Sequence, residues 1–123
     1  MAVKEFLAAA LADQVTGPAP TVGVGLPSAW KLTSPSAVVV FDDGGQTRWP
    51  IAVRPTLRVT VWAAGRTRAR EVAGAALGLL LARAVPGIAT IAEPSQVLDA
   101  RDKETGGLLA SFTVKVQSRT LPA

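Results

Sequence analysis

The stretch from Arg54 to Ala84, RPTLRVTVWAAGRTRAREVAGAALGLLLARA, most constrains what this chain can fold into. Leu57, Val59 and Val61 alternate with Arg58, Thr60 and Trp62, the period of an extended strand. Ala69, Val72, Ala73, Ala76, Leu77, Leu80 and Ala84 then recur at helix spacing, and Pro86 and Gly87 supply the stop. A short basic turn joins the two, so strand and helix form one packing unit. Gly74 and Gly78, four residues apart, predict close backbone approach of the helix over 66–84 to a sheet or a second helix. The stretch holds no nucleophile beside a base, no metal cluster and no phosphate-cradling loop. It points to a protein that works through its surfaces.

The flanking sequence supplies the rest of a layered fold. Val3, Phe6, Leu7, Ala10, Leu11 and Val15 fall on one stripe of an opening helix that Gly17 and Pro18 end. A segment rich in proline, glycine and serine follows, in which Thr21 to Leu26 has room for one short strand. Trp30 sits in this segment, either as an anchor tying the loop to the core or as a contact between subunits. Ala37 to Phe41, AVVVF, reads as an apolar strand, and Asp42-Asp43-Gly44-Gly45 as a reversal. The return limb begins near Arg48 or Trp49 and runs into the strand 54–63. Pro50 and Pro55 place its first part at an edge or in a bend, because proline cannot donate to the ladder. Ile88 to Ile91 reads as a brief strand, and Gln96 to Asp99 with Leu108 to Arg119 as the limbs of a last hairpin. Phe112, Val114 and Val116 alternate with Thr113, Lys115 and Gln117, which predicts one buried and one wet face. The expected fold is α+β: an antiparallel sheet of about four strands with two helices packed on one face, in a single domain over 1–123.

Composition narrows the functions. At 123 residues the chain is long enough to bury roughly two-thirds of its unfolded surface. Hydrophobic residues make up 49% and charged residues 18%, so little charged surface covers the core and a partner or homo-oligomer is expected. Histidine and cysteine are absent, which removes disulfides, thiolate and imidazole metal sites and the commonest general base at neutral pH. The acidic pairs Asp42 with Asp43 and Asp99 with Asp102 fall in turn-like sequence, where solvated carboxylates are ordinary. We therefore expect no enzyme, no cofactor and no metal. Glu5 and Asp13 in the opening helix argue against an export signal, and the longest apolar stretch, Val72 to Ala82, is about half of the ~20 residues a membrane span needs. A soluble protein without membrane contact is expected. The charge of +4 permits attraction to nucleic acid or to an acidic protein surface. Of the arginines only Arg66, Arg68 and Arg70 cluster, and no aromatic ladder of the kind single-strand binders use accompanies them.

Three blocks carry a resemblance: the opening VKEFLAAAL; RPTLRVTVWA followed by REVAGAALGLLLA; and the closing PGIATIAEPSQVLDARDKETGGLLASFTVKVQSR. Together they cover most of the chain and resemble the tail terminator proteins of long-tailed bacteriophages, especially those infecting actinobacteria. The likeness is a pattern of segments and not a catalytic signature. It implies a homo-oligomeric ring, usually of six subunits, that caps the finished tail tube, ends polymerisation of the tube protein and presents a docking face to the head connector, or stopper. Location would be the virion, in the tail at the head-tail junction, after assembly in the host cytoplasm. Genomic DNA would pass through the ring without sequence-specific binding, and most arginines are expected to face outward or into subunit contacts, since an arginine-lined lumen would grip phosphates.

A ring needs heterologous contacts, each subunit offering two different patches. The candidate interface residues are Trp30, Arg48, Trp49, Trp62, Arg101, Asp102, Lys103 and Glu104. The hairpin tip 101–107 and the turn from Asp42 to Trp49 are the candidates for contacts along the tube axis. Two other readings compete: another head-tail joining protein, a stopper or adaptor, and a small basic nucleic-acid-binding regulator.

Overall fold

The apolar run AVVV of Ala37–Val40 explains how the sheet is organised: all four residues are buried, so this strand is covered on both faces. A computed structural model describes residues 2–14, 20–26, 30–31, 35–44, 56–82, 88–92, 94–103 and 106–118. The elements are α1 (Ala2–Gln14), β1 (Thr21–Gly23), β2 (Ala37–Gly44), β3 (Thr56–Ala63), α2 (Arg66–Ala82), β4 (Ile88–Ala92), β5 (Leu98–Arg101) and β6 (Leu108–Ser118). The fold is α+β, with a mixed sheet and two helices.

The strands run in the order β1-β2-β3-β6-β4, and β5 also pairs β6. The expected sheet of about four antiparallel strands is thereby corrected in two respects. First, β1 joins β2 in parallel, with Thr21 opposite Ala37. Parallel neighbours need a crossover of about a dozen residues or more, which the segment 24–36 provides. Second, β4 and β5 share one edge of β6, β4 pairing residues 115–118 and β5 residues 108–111. Six strands therefore fill five positions.

Where β4 has ended and β5 has not begun, Ser95 takes the place of a strand. Its N–H donates to the Thr113 carbonyl at 2.9 Å, and its Oγ accepts from the Thr113 N–H at 2.8 Å. Ser95→Ala would leave that half-buried N–H without its acceptor and is expected to cost about 1–2 kcal/mol. Urea unfolding of the two proteins measures the difference.

Both helices cover the same face. Val3, Leu7 and Leu11 of α1 and Ala69, Val72, Ala73, Ala76, Leu79 and Leu80 of α2 join Val38, Val40, Leu57, Val59, Val61, Ala110, Phe112, Val114 and Val116 in one core cluster. The α2 stripe departs from expectation at one point: Leu79 is buried and Leu77 only partly. The phase set by Ala69, Val72, Ala73 and Ala76 continues to 79 and 80, and the three consecutive leucines fit either choice. Val15 and Ala84, also expected on the stripes, lie outside the described residues.

The glycine expectation is corrected as well. Gly74 and Gly78 lie on the exposed side of α2, where an added Cβ would meet nothing within 4 Å. They mark no close approach among the described residues. Alanine at either position is expected to stabilise the fold by about 0.5–1 kcal/mol by restricting the unfolded chain and favouring helix. A rise in thermal midpoint for each single variant would show it.

The reversal after β2 also comes later than expected. The strand continues through Asp42 to Gly44, with a register shift between those two residues, so Asp43 is the extra residue of a bulge. β3 is a central strand over Thr56–Ala63. Pro50, Pro55 and the start of the return limb lie outside the described residues.

Candidate interaction surfaces

The face of the sheet away from the helices carries an aromatic and cationic group that the strand register assembles. Phe41 on β2 stands opposite Arg58 on β3, and the Arg58 guanidinium carbon lies 4.3 Å from the centroid of the Phe41 ring. Trp62, four residues along β3, tilts toward the same ring, with centroids 6.4 Å apart and planes at 52°. The Val39–Thr60 pair sits between them in the register, and both residues are buried. Phe41, Arg58 and Trp62 themselves are half-buried.

Trp62 also holds the last hairpin. Its indole N–H donates to Oδ2 of Asp102 at 3.0 Å, joining residues 40 positions apart. The tip is fastened a second time by its own backbone: the Asp102 N–H donates to the Gly107 carbonyl and the Gly106 N–H to the Asp102 carbonyl, both at 2.8 Å. Gly106 reaches the second of these with φ at 74°, a conformation that glycine adopts without strain. Arg101 and Lys103 flank this anchor and are exposed. Three of the candidate residues, Arg101, Asp102 and Lys103, thus sit together at the hairpin end, and Trp62 is the side chain that positions them.

Trp30 is separate from this group. It is buried, 6% exposed, and its indole N–H donates to the Pro35 carbonyl at 2.9 Å, the geometry of a loop anchor. Arg48, Trp49 and Glu104, with the greater part of the 42–49 turn, lie outside the described residues.

The arginine cluster is engaged within the chain. Arg70 donates from Nη2 and Nε to Oδ2 of Asp99 on β5, at 2.7 and 3.1 Å, and Nε of Arg66 lies 3.9 Å from the same oxygen. Arg68 pairs with Glu71 at 2.7 Å. Cations in the first turn of a helix oppose its dipole, and the two carboxylates offset that cost at the start of α2. Asp99 stands on the helix side of β5 because it pairs with the core residue Ala110, whereas Leu98 and Asp102 alternate to the other face. Reading the sequence as one solvated turn missed this separation of Asp99 from Asp102. Strand alternation carried the signal.

Among the described residues, no group of three or more His, Cys, Asp or Glu residues is placed to hold a metal ion. No described helix is long and apolar enough to cross a membrane. No family model and no curated protein matches this chain.

Proposed function

We propose that this protein is a structural subunit of a bacteriophage tail, forming a ring, usually of six copies in proteins it resembles, that caps the tail tube, ends its polymerisation and joins it to the head connector. The resemblance of the three sequence blocks supplies the family. The single structural observation that favours the reading is the braced hairpin end. Arg101, Asp102 and Lys103 are presented on a tip fastened by Trp62 and by two backbone hydrogen bonds. A docking surface held rigid before contact loses less conformational entropy when it binds. In the ring, this tip makes the contacts along the tube axis with the tube protein or the connector.

The charge of the chain favours the nucleic-acid alternative only while its arginines are unspoken for. Arg66, Arg68 and Arg70 all have carboxylate partners, which lowers their call on phosphate. In the ring reading DNA passes without being held by them. A stopper or adaptor shares the size and the absence of chemistry, and differs in its partner.

Imaging of phage particles assembled without this protein tests the role. Tails of uncontrolled length that fail to join heads are expected. Tails of normal length, joined or not, would contradict the terminator reading.

A further inference from the structure

Natural sheets guard their open edges with lysine, proline, inward charge or a covering element, because unpaired N–H and C=O groups recruit other strands. This sheet ends in β1 on one side and in β4 and β5 on the other. Among the described residues neither β1 nor β5 has a strand on its outer side. The segment Thr21–Leu26, which follows Pro20, carries no charge, in a chain with 13 lysines and arginines. At the other edge all four residues of β5 are exposed; Asp99 is drawn to Arg70 and Arg66 on α2, which leaves Arg101 as the charge at the end of this short strand. The large hydrophobic side chains most exposed in the structure mark these same two places: Leu98 on β5, at 64%, and Val24 immediately after β1, at 61%.

The hydrogen-bond pattern states which backbone groups are on offer. Thr21 N–H donates to the Ser36 carbonyl, so Thr21 and Gly23 face β2 and Val22 faces outward. Asp102 N–H donates to the Gly107 carbonyl, so Ala100 and Leu98 bond to β6 and the N–H and C=O of Asp99 and Arg101 face outward.

We propose that β1 of one copy pairs with β5 of the next, continuing the sheet from subunit to subunit along the two edges that Val24 and Leu98 mark. The occupant of each edge is a second copy of this chain, because one molecule carries both open edges and carries them on opposite sides of one sheet. Contact between two different edges is heterologous, so it propagates head to tail and closes only as a ring. This deepens the ring reading above and rests on it for the biological setting, but not for the pairing itself.

Val24→Lys and Leu98→Lys place a charge on one edge each, and both sites are exposed, so the subunit fold is expected to survive, as circular dichroism would show. Sedimentation of the parent protein should reveal assembly as concentration rises. Each lysine variant alone should need a concentration about tenfold or more higher for half-assembly. Mixed together they should form a two-subunit complex that grows no further, because each retains the edge that the other lacks. Arg101→Pro, which removes an outward N–H without touching a bond to β6, should act like Leu98→Lys. A parent protein that stays monomeric throughout, a lysine variant that assembles as the parent does, or a mixture that fails to pair would each overturn the proposal. An assembled parent that does not cap tubes would instead sink the tail-terminator reading and leave the edge pairing standing.

Discussion

Phe112→Ala is expected to destabilise the protein by about 3–5 kcal/mol, the largest loss from any single truncation of this core. Phe112 is 1% exposed and is the bulkiest fully buried side chain. It sits on β6, opposite Val59 of the central strand β3, within the cluster to which both helices contribute. The loss has two parts: the transfer energy of the ring, and the cavity left where sheet and helices meet and neither can collapse fully. A domain of this size is stable by about 5–15 kcal/mol in all, so the variant would keep a fraction of that margin. Thermal unfolding should show a midpoint lower by about 10 °C or more. Equal midpoints for variant and parent would mean that β6 is not the strand on which the helix layer rests.

Trp62→Ala is expected to cost about 2–3 kcal/mol and to loosen the hairpin end. The indole is half-buried, so the loss falls below the range for a sealed tryptophan. Two contacts go at once: the hydrogen bond to Asp102 and the tilted packing on Phe41, beside the buried Val39–Thr60 pair. Trp62→Phe separates them in part, since it keeps one aromatic ring while removing the N–H and the rest of the indole. Hydrogen exchange distinguishes the two variants: the amides of Asp102 and Gly106 should lose protection in both, and the amides of β2 and β3 around Val39 and Thr60 only in Trp62→Ala. If neither variant changed protection at the tip, the brace would not hold it, and the rigid docking end would lose its support.

Local pattern told most of the helix layer. The stripes of α1 and α2 and the alternation in β3 and β6 are local signals, and each found its burial because a single face of each element meets the core. What sequence left unread depends on partners distant in the chain. The three-residue β1 holds too few side chains for a period, and its parallel register with β2 depends on the crossover 24–36. Similarly, the hairpin of β5 and β6 is visible locally, but the sharing of that edge with β4, and the Ser95 patch between them, follows from how far β6 runs past its hairpin partner. Gly74 and Gly78 misled for a related reason: their spacing names a helix face without saying what, if anything, lies across from it.

The candidate surface divides in the same way. Arg101, Asp102 and Lys103 are neighbours in sequence and stand together in space, so a turn-like, charged segment was enough to single them out. The engagement of Trp62 with Asp102, and its setting beside Phe41 and Arg58, needed the register of β2 on β3 and the return of the hairpin over the outer face. Leu98 and Val24 carry no motif. Their significance comes from lying exposed at opposite sheet edges.

Purified tube protein polymerising in the presence of this chain gives the most direct test of the claim that it finishes a tubular assembly. Electron microscopy should show tubes that stop growing, become shorter as the ratio of this chain to tube protein rises, and carry the added protein at one end. Tubes of unchanged length, with this chain absent from their ends or scattered along their walls, would contradict the account.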